Sequence, residues 1–127
     1  MRVLWIAERF PPQRGGVATA AGRIVYGLAP VLERLDVLVL ERDLPPGLAV
    51  HAEHGGAQVH RIGRPARDED AAHLLFRAAT ALASEARVDL VHGFYAVPAG
   101  HVAVLAARAL GVPSVVSLRG NDVHRAL

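Results

Sequence analysis

At 127 residues, 52% hydrophobic and 20% charged, the chain is long enough for one domain with a full core and has the composition of an ordinary soluble α/β protein. All fourteen basic residues are arginines, set against twelve acids for a net charge of +2, and only Arg61, Arg64 and Arg67 cluster, which argues against nucleic acid as a partner. Without cysteine there is no disulfide, thiolate or Cys-ligated zinc, and no run approaches the ~18 apolar residues of a membrane span, so a cytoplasmic protein without a transmembrane segment is expected.

The opening MRVLWIAERF is basic then apolar, but the apolar part is too short for a signal peptide and Glu8 follows it at once. Residues 2–7 read as a first strand, apolar on both faces as a central parallel strand should be. The stretch from Arg9 to Arg23, RFPPQRGGVATAAGR, then passes through Pro11-Pro12 and Gly15-Gly16 into a helix expected over 17–34. Its apolar stripe is Ala21, Ile24, Val25, Leu28, Val31 and Leu32, and Pro30 ends it early or kinks it. A second strand is expected over 35–40, LDVLVL. From 41 to 57 the text is turn chemistry, Pro45-Pro46-Gly47 and Gly55-Gly56, read as an excursion over the surface. Residues 58–62 form a strand of mixed polarity, placed at the sheet edge. Asp68, Glu69 and Asp70 open a helix to about residue 86, with acids suited to its amino-terminal dipole. A fourth strand, VDLVH over 88–92, leads into Gly93-Phe94-Tyr95. Pro98 suits the first turn of a helix that Gly111 stops, and residues 113–118 make a fifth strand, followed by Arg119-Gly120-Asn121-Asp122.

Strands alternating with helices imply a Rossmann-like α/β three-layer sandwich with a mostly parallel sheet of about five strands. Ligands in such sheets bind beyond the carboxyl ends of the strands, where Gly15-Gly16, the segment from His92 to Tyr95, and the loop from Arg119 to Asp122 are expected to converge. Gly15 and Gly16 sit where a helix begins, so a phosphate can reach unpaired backbone N–H groups without meeting a Cβ, and Arg14 adds a cation. The same glycines would also serve a plain strand-to-helix turn. The spacing matches neither GxGxxG nor GxxxxGK[ST]. His92 is either a hydrogen-bonded structural histidine or a ligand contact, and Tyr95 either stacks on a sugar or covers the strand end. Arg119 and Asp122 are close enough to pair with each other. His51, His54 and His60 resemble a metal cluster by count alone, so no metal is expected, and His73 and His101 are expected on helix surfaces.

RFPPQRGGVATAAGRIVYGLA and DLVHGFYAVPAGHVAVLAARALGVPSVVSLRGNDV, at their separation in this chain, resemble the amino-terminal half of a GT-B glycosyltransferase of the retaining, glycogen-synthase-like, group-1 kind. The resemblance leaves out only residues 41–67. It implies two Rossmann-like domains facing each other across a cleft, this one on the acceptor side. By that resemblance Arg14, Gly15 and Gly16 approach the donor diphosphate, while His92, Tyr95, Arg119, Asn121 and Asp122 face the acceptor or the transferred sugar. Arg119 stands where many members carry a histidine, which leaves the catalytic residues unassigned. The implied partners are a nucleotide-sugar and an acceptor as substrates, with no other cofactor, and a carboxyl-terminal donor-binding half that these residues lack. The chain alone is therefore expected to be inactive. A non-enzymatic binding or assembly module, and a nucleotide-binding regulatory domain, are the alternatives. A homodimer is expected from the apolar last strand, with Val115, Val116 and Leu118.

Overall fold

The computed structural model describes residues 1–118. Six strands form one sheet: β1 (Arg2–Ala7), β2 (Arg34–Glu41), β3 (Ala49–His54), β4 (Ala57–Gly63), β5 (Leu90–Phe94) and β6 (Ser114–Ser117), in the order β3-β4-β2-β1-β5-β6. Every neighbouring pair is parallel except β3 with β4. Three helices, α1 (Gly16–Leu28), α2 (Asp68–Glu85) and α3 (His101–Leu110), connect β1 to β2, β4 to β5 and β5 to β6, while β2 reaches β4 through β3.

Alternation along the central strands divides the core into two layers. Leu4 and Ile6 of β1, with Leu38 and Leu40 of β2, face α2 and α3, where they meet Leu75, Val102 and Ala106. Val3, Trp5 and Ala7, with Val37 and Val39, face the opposite side, where Ala21 and Val25 of α1 cover them. This is the three-layer α/β sandwich that the element order implies.

The sheet has six strands where about five are expected, and the extra one lies in the stretch read as a surface excursion. All six residues of β3 are exposed, so it has no buried face to betray it in the sequence. It is made by backbone pairing across a two-residue turn, Gly55-Gly56, whose φ values of 57° and 89° are those of the tight hairpin turn that favours glycine. Strand β4 is consequently interior, with His51 opposite His60 and Leu38 on the other side of it. Its mixed polarity reflects cross-strand polar pairing and not an edge.

Other boundaries move for identifiable reasons. Helix α1 ends at Leu28, and Pro30 lies in a single tighter turn over Ala29–Val31 that hands the chain to β2. Strand β5 begins at Leu90 and not Val88, because Asp89 is spent on its neighbour: its carboxylate accepts from the Arg2 N–H at 2.8 Å, and its own N–H donates to the Arg2 carbonyl at 2.8 Å. Pro98 lies in a wide turn, Ala96–Gly100, ahead of α3, and Gly111 closes α3 in the left-handed conformation at φ 70°.

Candidate functional site

The loop from β1 to α1 is held from three sides. Phe10 is fully buried, with its ring 6.0 Å from that of Tyr26 and the Arg61 guanidinium 5.8 Å above it. Gln13 closes the turn: its side-chain oxygen accepts from the Phe10 N–H at 3.2 Å, its own N–H donates to the Phe10 carbonyl at 3.1 Å, and its amide NH2 reaches the Leu40 carbonyl at 3.3 Å. Arg61 of β4 donates to the Pro11 carbonyl and pairs with Glu41 of β2 at 3.2 Å. The loop is thus tied to the ends of β2 and β4, and these ties set where Arg14, Gly15 and Gly16 stand.

Gly15 has φ 119° and ψ 162°, a conformation that disfavours any side chain, and its carbonyl accepts from both the N–H and the hydroxyl of Thr19 at 3.0 Å. No side chain caps α1. Its first-turn N–H groups therefore remain available, carrying the partial positive charge of a helix start. A Cβ built on Gly16 would meet nothing within 4 Å.

Beyond the carboxyl ends of the strands lies a cleft of about 780 Å³, within the range of small-molecule sites. Glu8 and Arg9 follow β1, Arg42 follows β2, Arg64 follows β4, and Tyr95 follows β5; all line the cleft with Arg14, Gly15 and Gly16. Arg64 bridges Glu8 at 3.5 Å and Asp68 at 2.9 Å, joining the end of β1 to the start of α2. Tyr95 is held at φ 100°, with its N–H bonded to the Ser117 carbonyl at 2.9 Å and its carbonyl accepting from Gly100 at 2.8 Å. A bulky residue in that region costs on the order of 1–3 kcal/mol, and such positions concentrate where a side chain must be aimed at a site. His101, at the start of α3, completes this side of the lining.

The structure brings Arg14, Gly15, Gly16 and Tyr95 together around one cleft. It does not bring His92 there. His92 sits within β5, half-buried on the α1 side of the sheet, edge-on to Trp5 at 5.4 Å between ring centres, with Nε2 2.7 Å from the Ser117 hydroxyl. Arg119, Asn121 and Asp122 lie outside the described residues. Arg9 and Arg42 were not singled out from the sequence, Arg64 was noted only in the cluster with Arg61 and Arg67, and His101 only as a helix-surface residue. The first three share a signal that the strand order makes readable, since each follows the carboxyl end of a strand now known to be interior.

Burial pushes the His92 imidazole below its ordinary value of 6.5. Protonation thus favours the unfolded chain, so the contribution is fully present above pH 6.5 and is lost as pH falls from there through the lowered value. We expect denaturant midpoints to drop between pH 7.5 and pH 5, and the drop to shrink in His92→Asn. An unchanged pH dependence in that variant would assign the effect to other groups.

His51 of β3 and His60 of β4 build a polar cluster away from the cleft. The rings of His51 and His60 stack at 4.6 Å, His51 is 2.6 Å from the Gln58 side-chain oxygen, and His60 is 2.9 Å from Asp36. Burial alone would raise the Asp36 carboxyl, but hydrogen bonds from His60 and Arg34 outweigh it and hold it below the usual carboxylate range. Among the described residues no group of three His, Asp or Glu is arranged to hold a metal ion, and no helix is long and apolar enough to cross a membrane.

Comparison with solved structures finds similarity to an α,α-trehalose-phosphate synthase (UDP-forming) from Burkholderia vietnamiensis, at 17% identity and a TM-score of 0.45, covering 91% of this chain and 31% of that one. OtsA in its apo form is similar at 15% identity and a TM-score of 0.48, covering 100% of this chain and 36% of that one. The chain therefore spans about a third of the length of these structures. No curated protein sequence matches it. A family model described as a glycosyl transferase 4-like domain matches residues 15–127, which take in α1, every strand after β1 and most of the cleft lining. The family that the Gly15-Gly16 loop and the α3 segment resemble is the family that the match shows: the chain belongs to the glycosyl transferase 4-like domain family.

Proposed function

We propose that the chain is the amino-terminal, acceptor-side half of a retaining glycosyltransferase of the GT-B arrangement, acting on a nucleotide-sugar donor. The observation that carries this reading is the cleft at the strand ends, where Arg14 and the uncapped start of α1 at Gly15-Gly16 stand together in a member of a glycosyltransferase family. As the bond between the sugar and the donor diphosphate breaks, negative charge builds on the departing phosphate. Fixed N–H dipoles and a guanidinium at that point lower the barrier without themselves reacting. Tyr95 offers a flat face to a sugar ring from the end of β5.

Transfer also requires the nucleotide end of the donor to be held against the acceptor, and one wall of a cleft does not do that. The test is a radiolabelled assay of purified residues 1–127 across the common nucleotide-sugars. The expected result is no transfer and no hydrolysis, together with weak, saturable binding of inorganic pyrophosphate by calorimetry. Turnover by this chain, or no pyrophosphate binding, would overturn the reading.

A homodimer belongs to the same proposal. Val115 and Leu118 are 45% and 56% exposed at the β6 edge, and apolar sheet edges are seldom left bare. Sedimentation equilibrium at micromolar concentration should give twice 13.5 kDa, and a clean monomer would refute it.

A further inference from the structure

An open groove of about 300 Å³ between α2 and α3 adjoins the cleft. Ala72 and His101 line both hollows, so the groove is a side arm of the cleft and not a separate site. Helical spacing makes its walls: Ala72 and Phe76 stand one turn apart on α2, and His101 and Leu105 one turn apart on α3. Ala72, at the junction, is too short to fill it. Leu105 is 41% exposed, and Val97, in the adjoining cleft wall, is 66% exposed. Apolar surface therefore continues from the cleft into the groove, and a ligand that covers both removes it from water.

We propose that this groove holds the aryl body of the acceptor, so that the enzyme glycosylates an aromatic compound or an aryl glycoside whose reacting hydroxyl lies in the cleft. The inference rests on the glycosyltransferase reading above and adds the acceptor class to it. Transfer joins the acceptor hydroxyl oxygen to the anomeric carbon of the donor, breaks the bond from that carbon to the diphosphate, and gives the hydroxyl proton to the departing diphosphate. Size suits a ring, since about 150 Å³ of apolar space is enough for benzene. The lining suits one too, because Phe76, His73 and His101 are themselves rings, and aromatic pairs gain from edge and offset contacts beyond the area they bury. A bilayer fits less well. Asp68, Glu69 and Asp70 stand in the first turn of α2 beside the groove and repel anionic headgroups.

The test follows backbone amide shifts by NMR as phenol, phenyl β-D-glucopyranoside or glucose is added to residues 1–127, with inorganic pyrophosphate in parallel. Phenol should shift Ala72, Phe76 and Leu105. The phenyl glucoside should shift these together with Tyr95 and Val97, and glucose alone should bind at least about tenfold more weakly than the glucoside. Leu105→Gln should weaken phenol and phenyl glucoside about fivefold and leave pyrophosphate within about twofold. Val104→Gln, on the exposed side of α3 and outside the groove, should alter none of them. Circular dichroism of each variant verifies the fold. Phenol shifts centred elsewhere, glucose binding as tightly as its phenyl glycoside, or a glucoside that shifts the groove without Tyr95 and Val97 would each overturn the proposal. So would sedimentation with phosphatidylglycerol vesicles that Leu105→Gln abolishes, which would assign the groove to a membrane surface. Pyrophosphate failing to bind while the phenyl glucoside keeps its full shift pattern and its dependence on Leu105 would instead count against the donor-loop reading and leave this one standing.

Discussion

Trp5→Ala should destabilise the fold by ~3–5 kcal/mol, the range for deleting a large buried aromatic. Trp5 is fully buried at the centre of β1, tilted against Phe94 at 4.9 Å and edge-on to His92 at 5.4 Å. It packs from the strand that carries the candidate loop onto the strand that carries Tyr95. A domain of this size has on the order of 5–15 kcal/mol in all, so the loss is a large fraction of it. Trp5→Phe should cost much less, because the indole Nε1 has no hydrogen-bond partner and its removal takes away a buried unsatisfied donor. Urea denaturation followed by circular dichroism reads both variants, since each removes the chain's single tryptophan. A cost below ~1 kcal/mol for Trp5→Ala would contradict the packing described between β1 and β5.

Gly16→Val should abolish pyrophosphate binding while leaving the denaturation midpoint almost unchanged. The position tolerates a side chain in the free protein, because it lies at the first residue of α1 with open space where a Cβ would go. That open space is the approach to the first-turn N–H groups, and a branched side chain would fill it. Gly93→Val is the contrasting case. A Cβ there would lie 2.6 Å from the Gly100 Cα and 2.8 Å from the Ala99 carbonyl oxygen, backbone that cannot move aside without separating α3 from β5. Overpacking of that kind costs ~1–3 kcal/mol and often more. Retained binding in Gly16→Val would remove the amides from the account, whatever its effect on stability.

How much of this was legible in the sequence follows from where each signal resides. Strands β1 and β2 are mostly apolar on both faces, with Asp36 the one charge inside the β2 run, so a short apolar run announces them, and their burial on both sides agrees. The acids Asp68, Glu69 and Asp70 announced α2 in the same local way. Strand β3 was invisible because its six residues bury nothing and its partner is chosen by a glycine turn. Missing it displaced β4 to the edge, and with β4 went the recognition that Arg64 stands at an interior strand end. Arg42 is an isolated arginine in turn text and Arg64 one of the cluster with Arg61 and Arg67, and only the order β4-β2-β1-β5 collects them with Gly15 and Gly16 around one cleft. Tyr95 was legible as a residue past a strand end, but its positive φ was not, since tyrosine is disfavoured there and nothing local demands it. His92 was placed at a strand end because the strand was expected to stop there, whereas β5 runs on through Gly93 and Phe94, held by pairing to Ile6 and Ala7 on one side and Val116 and Ser117 on the other.

The most direct measurement of the central claim is a map of backbone amide shifts by NMR as inorganic pyrophosphate is added to residues 1–127. The account predicts that the largest shifts belong to Gly15, Gly16 and Val17, with smaller ones around Arg14, and that they vanish in Gly16→Val. Shifts centred on another face of the sheet, or the same shifts persisting in that variant, would contradict it.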